Sequence, residues 1–88
     1  MTDAGRVLVL WTTPGCSLCD EAEAALERVR HRVPFQYELR DLLTAPASFR
    51  LRHRYDIPLL FDGERILTRH RVDEQALERR LRGTPVAG

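Results

Sequence analysis

Two cysteines, Cys16 and Cys19, stand three residues apart in the stretch Trp11-Thr-Thr-Pro-Gly-Cys-Ser-Leu-Cys-Asp20, and they are the chain's only thiols. A pair at this spacing can be a redox dithiol, half of a metal site, or two small buried apolar groups. If the pair opens a helix after the Pro14-Gly15 break, the Cys16 sulfur meets unpaired backbone N–H groups and the positive end of the helix dipole. Both favour a thiolate. Cys19, one turn on and on nearly the same face, is then placed to attack a mixed disulfide formed at Cys16 and release the bound partner. A zinc site needs four ligands, and His31, His53 and His70 are scattered, so no metal site is expected within one chain. A metal-thiolate carrier, for Cu(I) or zinc, is the alternative, and a redox-inactive interaction domain is a third reading.

The elements needed to hold that pair are legible on either side of it. Arg6-Val-Leu-Val-Leu-Trp-Thr12 is a continuous apolar run suited to a central strand buried on both faces, preceded by a small, polar, frayed start over Met1 to Gly5. Beyond Pro14-Gly15, the residues Leu18, Ala22, Ala25, Leu26 and Val29 recur at helical spacing. Asp20, Glu21 and Glu23 fall in the early turns, where the dipole favours acids, so the first helix begins near Cys16 or Ser17. Pro34 ends it, and residues 35–42 alternate as a strand. Thr44 can cap a short helix carrying Phe49, Leu51 and Tyr55. Leu59 to Phe61, the pair Asp62-Gly63, and Arg65 to Leu67 form a hairpin. Asp73 caps a last helix with Val72 and Leu77 as a hydrophobic staple, and Gly83 and Pro85 stop it, leaving Thr84 to Gly88 as a tail. A right-handed crossover makes the first two strands parallel. The result is an α/β domain in the order β-α-β-α-β-β-α, a four-stranded mixed sheet with helices on both faces.

The totals narrow the function. Eighty-eight residues support one domain, with an ordered core over about 6–82. A formal charge of +1 with interleaved acids and arginines gives no basic stripe for a phosphate backbone, so nucleic acid is not an expected partner. No apolar run is long enough for a membrane span or a secretory signal core, which points to a cytoplasmic, monomeric protein with no membrane partner. In a reducing compartment a two-cysteine bridge is not a structural staple, and so short a loop gains little from chain entropy.

The pattern T-x-P-G-C-S-L-C after a first strand, followed by I-P ahead of a D-G hairpin, resembles the glutaredoxin-like branch of the thioredoxin-fold superfamily. The likeness runs from Arg6 to about Leu81 and is closest to small bacterial glutaredoxin-like proteins. It implies a thiol–disulfide oxidoreductase with Cys16 attacking, Cys19 resolving, and a redox-active Cys16–Cys19 disulfide in place of any cofactor. It also implies a cis peptide before Pro58 beside the dithiol, with the backbone of Ile57 pairing to an extended substrate segment. Pro14 and Gly15 shape the turn.

The departures from that family bear on the reductant. Glutaredoxins usually carry Lys three residues before the first cysteine, where this chain has Thr13. Their Gly-Gly and acidic residue after the hairpin correspond here to Leu67-Thr-Arg-His-Arg-Val-Asp73. Thioredoxins proper keep a buried acid six residues before the first cysteine and a Trp just before it; this chain has Leu10 and Gly15. The expected partners are therefore a disulfide-containing protein or small-thiol substrate, with a thioredoxin reductase-type flavoprotein or a low-molecular-weight thiol other than glutathione as reductant. Arg71 and Asp73 echo an R-x-D seen in the redoxins that serve ribonucleotide reductase. Trp11 reads as packing at the strand end, and Asp20 as an acid suited to a helix start. His70, between Arg69 and Arg71, reads as part of a solvated loop.

Overall fold

Large and β-branched apolar side chains suit a pleated, covered surface, and Val-Leu-Val-Leu-Trp-Thr forms the first strand, β1 (Val7–Thr12). In the computed structural model, which describes residues 7–83, it is followed by α1 (Ser17–Arg32), β2 (Gln36–Asp41), a 3₁₀ turn (Leu42–Thr44) and α2 (Ala47–His53). Then come β3 (Leu59–Asp62), β4 (Arg65–Arg69) and α3 (Glu74–Leu81). The start expected over Met1 to Gly5 and the tail expected from Thr84, with Pro85, lie outside the described residues. The sheet order is β2-β1-β3-β4, with β1 parallel to β2 and antiparallel to β3, and β3 antiparallel to β4. The order of elements along the chain, β-α-β-α-β-β-α, and the parallel first two strands are as expected for a thioredoxin-like domain.

Alternation along β1 divides the core. Leu8 and Leu10 face one side with Leu60 beside Leu10, and there they pack on Ala22, Leu26 and Val29 of α1 and Leu77 of α3. Spacings of three and four put those α1 residues on one helical face, and burial of a side chain such as Leu26, 0% exposed, contributes about 1.5–3 kcal/mol. The two helices are also tied at their rims. Arg28 donates from Nε and Nη2 to Glu74 at 3.0 and 2.7 Å, and Arg32 donates to Glu78 at 2.9 Å and Glu74 at 3.2 Å.

The opposite face is less covered than the apolar run suggests. Val9, Trp11 and Phe61 share that side, and α2 covers it through Phe49, whose ring lies 4.9 Å from Trp11 and 6.0 Å from Phe61. Seven residues of helix span only about 10 Å. Val7 is left exposed and Val9 and Trp11 half-buried, so β1 is sealed on one face and only roofed on the other.

Three local details differ from expectation. Thr44 does not cap α2. It closes the 3₁₀ turn by donating to the Asp41 carbonyl at 2.7 Å, while Asp41 Oδ1 accepts from the Leu43 N–H at 2.9 Å. α2 instead starts after Pro46, which offers no capping side chain, and ends at His53, so Tyr55 lies beyond it. The hairpin loop is Gly63-Glu64, one residue later than the Asp62-Gly63 pair. Asp62 pairs with Arg65 in the ladder and accepts from Arg80 Nε at 2.9 Å, and Gly63 takes the positive φ of +63° at the first loop position, as in a type II′ turn. The last helix is as expected: Asp73 Oδ1 accepts from the Ala76 N–H at 3.1 Å, Val72 packs against the cluster holding Leu77, and Gly83 ends it at φ +69°. Among the described residues no helix is long and apolar enough to cross a membrane.

Candidate active site

Cys16 is the N-cap of α1. Its backbone is extended (φ −106°, ψ 109°), its carbonyl accepts the first helical bond from the Asp20 N–H at 3.2 Å, and its Sγ accepts from the Cys19 N–H at 3.1 Å. The sulfur thus fills a role usually taken by a Ser, Thr or Asp oxygen, pointing back at the first turn where backbone donors are unpaired. Gly15, at φ +72°, makes that reversal possible, because the left-handed backbone is costly for a residue with a Cβ even though the space beside it is open. Pro14 and Gly15 are exposed, Cys16 is half-buried, and Cys19 is 4% exposed.

Both cysteines are free thiols here, in unequal surroundings. Burial, and then the contact with Cys16, push the Cys19 thiol up to about 12, although a backbone hydrogen bond from Thr13 pulls the other way. Cys19 is therefore a protonated, sheltered thiol at neutral pH, while Cys16 holds the accessible sulfur.

The register of β3 brings the second half of the site to the same end of the sheet. Leu59 pairs with Trp11, two residues before Thr13 and Pro14, so Pro58 and Ile57 lie at the end of β1 that leads into Cys16. The Ile57–Pro58 peptide is cis, Pro58 is fully buried and Ile57 half-buried. All six residues singled out from the sequence, Pro14, Gly15, Cys16, Cys19, Ile57 and Pro58, are thus at one end of the sheet.

Sequence reasoning missed what holds that loop. His70 is not a free loop residue: at φ +71° its N–H donates to the Pro58 carbonyl at 2.7 Å, and its ring Nε2 lies 2.7 Å from the Tyr55 carbonyl, which requires the proton on Nε2. Asp56 is gripped from the other side by His53 Nδ1 at 2.9 Å and by Arg69 at 3.7 Å. The His53 hydrogen bond, and then the Arg69 charge, hold the Asp56 carboxyl below the usual carboxylate range. His53 itself is buried against Phe49 and Phe61. Only the i,i+3 spacing of His53 and Asp56 could have signalled this pair. His70 and Arg71 also border a cleft of about 180 Å³ floored by Ala22 and Ala25 and flanked by Leu18 and Glu21 of α1. Among the described residues no three His, Cys, Asp or Glu side chains gather where they could hold a metal ion.

Comparison with known proteins bears on the family and the fold. The family model described as "Glutaredoxin-like domain (DUF836)" matches residues 7–82. Protein Ne2328 from Nitrosomonas europaea, solved in solution by NMR, is similar with a TM-score of 0.74 and 24% identity, over 86% of this chain and 91% of that one. The X-ray structure of protein XcR50 from X. campestris is similar with a TM-score of 0.70 and 25% identity, over 89% of this chain and 99% of that one.

Proposed function

The chain belongs to the Glutaredoxin-like domain family, and on that premise we propose that it is a thiol–disulfide oxidoreductase in which Cys16 attacks and Cys19 resolves. The observation that carries this reading is the contrast within one helical turn. Cys16 Sγ, half-buried, faces a backbone donor at a helix start, whereas Cys19 is nearly sealed and holds its proton.

The reaction balances on these two residues. The Cys16 thiolate attacks one sulfur of a substrate disulfide, that S–S bond breaks, and the first substrate thiolate leaves. Cys19 then gives up its proton and attacks Cys16 Sγ, which releases the second substrate thiolate and forms the Cys16–Cys19 disulfide. Two electrons pass to the substrate. Reduction back to the dithiol needs a flavoprotein disulfide reductase or a small thiol. Ile57 and Pro58 stand at the end of the sheet that leads into Pro14, Gly15 and Cys16. The protein works as a cytoplasmic monomer with no bound cofactor.

Glutathione is a poor fit for the reductant. Thr13 supplies no cation beside Cys16, and losing one charge-assisted contact costs about 1.5–3 kcal/mol, a ten- to hundredfold loss of affinity. Where the family uses glycine for close approach, this chain has His70 in the glycine-like conformation with its ring engaged on the Tyr55 carbonyl, and Arg71 is drawn 3.8 Å from Glu21.

Brief iodoacetamide labelling followed by peptide mass analysis tests the assignment, together with turnover of a mixed disulfide by Cys16→Ser and Cys19→Ser. Cys16 is expected to alkylate first and Cys16→Ser to be inactive, with Cys19→Ser accumulating a mixed disulfide at Cys16. Preferential labelling of Cys19 would reverse the roles, and an active Cys16→Ser protein would end the reading. Running the same turnover with glutathione and its reductase against thioredoxin reductase and NADPH decides the reductant, and efficient glutathione-driven turnover would sink that part.

A further inference from the structure

The β2–β3 connection, residues 42–58, carries three of the chain's large exposed apolar side chains: Leu43 and Leu51, each 63% exposed, and Tyr55, 77% exposed. Leu43 and Tyr55 lie at the dithiol end of the sheet, and Leu51 stands between them in the chain, on α2. Leu43 follows Asp41, which pairs with Thr12. α2 is seated on Trp11 through Phe49, and Tyr55 is fixed by His70 three residues before Pro58. None belongs to the core, and three such groups on one connection form a contact surface rather than scattered exceptions.

The charge on the same segment is one-sided. Between residues 42 and 58 there are three arginines, Arg50, Arg52 and Arg54, against one acid, Asp56, and that acid is already held by His53 and Arg69. Arg50 donates to the Ala45 carbonyl at 2.7 Å, and Arg54 lies over the Tyr55 ring at 5.0 Å, which keeps its charge available beside an aromatic face. Arg52 is exposed. Across the dithiol the balance reverses, with Asp20 and Glu21 exposed on the first turns of α1. Arg52 and Arg54, exposed beside Leu51 and Tyr55, match a segment that carries carboxylates together with apolar groups. A phosphate backbone would want the cations without the apolar side chains.

We infer that the β2–β3 connection is a docking surface for an acidic, apolar-bearing segment of the protein whose disulfide Cys16 attacks, with Leu51 and Tyr55 taking its apolar side chains and Arg52 and Arg54 its carboxylates. This deepens the oxidoreductase reading and rests on it. The substrate class it selects is a protein disulfide flanked by acidic residues, bound by steering that salt screens over about 8–10 Å.

The test compares three disulfides in a turnover assay with the intact protein: a leucine-containing peptide disulfide flanked by Asp and Glu, the same peptide flanked by Lys, and a small neutral alkyl disulfide. The acidic peptide is expected to show kcat/KM at least about tenfold above the Lys peptide at low salt, with the preference collapsing near 0.5 M salt. In the Arg52→Glu/Arg54→Glu protein the acidic-to-neutral ratio should fall tenfold or more, while the Lys-to-neutral ratio rises. Equal rates for the two peptides, with the neutral disulfide still reduced, would overturn the docking surface and leave the oxidoreductase reading standing. Reduction of none of the three would overturn both. Vesicles of anionic phospholipid form the last arm: retention on them that Arg52→Glu/Arg54→Glu abolishes, without any peptide preference, would assign the cations to a lipid surface instead.

Discussion

The resolving step is where the two cysteine environments should be felt most sharply. A thiol with a pKa of about 12 is ionised at pH 7 to about one part in 10⁵, whereas one at the ordinary value of 9.0 is ionised to about one per cent, a difference of roughly a thousandfold. Part of this is returned, because a more basic thiolate is a better nucleophile. With a Brønsted slope of about 0.4–0.5, this rise gives back roughly twentyfold, leaving Cys19 roughly fiftyfold slower than a free thiol in the same position. Once Cys16 is tied up in a mixed disulfide, the contribution of its own thiol to that shift is gone. Burial, the largest cause, remains, so the fiftyfold is an upper bound. The perturbation to apply is pH. Reaction with a chromogenic aromatic disulfide in a stopped-flow instrument should release the chromophore in two phases, the first from attack by Cys16 and the second from attack by Cys19. The second should accelerate about tenfold per pH unit between pH 7 and 9, and it should vanish in Cys19→Ser. A second phase that is flat with pH, or as fast as that of a free-thiol peptide, would refute the argument that burial withholds the resolving thiolate.

Two further outcomes follow from the packing and the charge pairs. Leu26→Ala, at a fully buried position between α1 and the sheet, should cost about 2.7–5 kcal/mol in a urea titration followed by circular dichroism, a large share of the 5–15 kcal/mol typical of a domain; a loss under about 1 kcal/mol would mean that α1 does not rest on the sheet through this residue. Glu74 and Glu78 have their carboxyls held below the usual range by hydrogen bonds from Arg28 and Arg82 respectively, with Arg32 next for both, so the stability they add is complete above the ordinary carboxylate range and is lost as pH falls through it and below. The thermal midpoint should drop on acidification from about pH 5 to pH 2, and Glu74→Gln should flatten that drop; curves of identical slope for the two proteins would exclude Glu74 from it.

Most of the architecture could be read from the chain because local and tertiary preferences agree in it. Val7 to Trp11 has no polar interruption, the apolar spacing of Ala22, Leu26 and Val29 marks one helical face, and Asp73 and Gly83 bracket the last helix with their ordinary capping roles. Reading failed where a tertiary partner decided the local geometry. Asp62 is usually a turn residue, but Arg80 of α3 holds it in the strand and moves the loop on by one. Thr44 is a good cap in isolation, yet Asp41 at the end of β2 reached the nearby donors first and made a 3₁₀ turn there. The cysteines and Ile57-Pro58 were visible as types at a spacing. His70 was not, because its place depends on a left-handed backbone and on carbonyls twelve and fifteen residues away, neither of which a polar Arg-His-Arg run discloses.

The outer margin of β2 carries a consequence of another kind. Among the described residues this strand has β1 on one side only, so its other edge presents backbone donors and acceptors to which a second chain can add. Its exposed positions are Gln36, Glu38, Leu39 and Arg40, and Glu38 and Arg40 bond to each other at 3.1 Å while the Arg40 guanidinium lies over the Trp11 ring. A copy stacked parallel and in register would set Glu38 against Glu38 and Arg40 against Arg40, so like charge at this edge disfavours that mode of stacking.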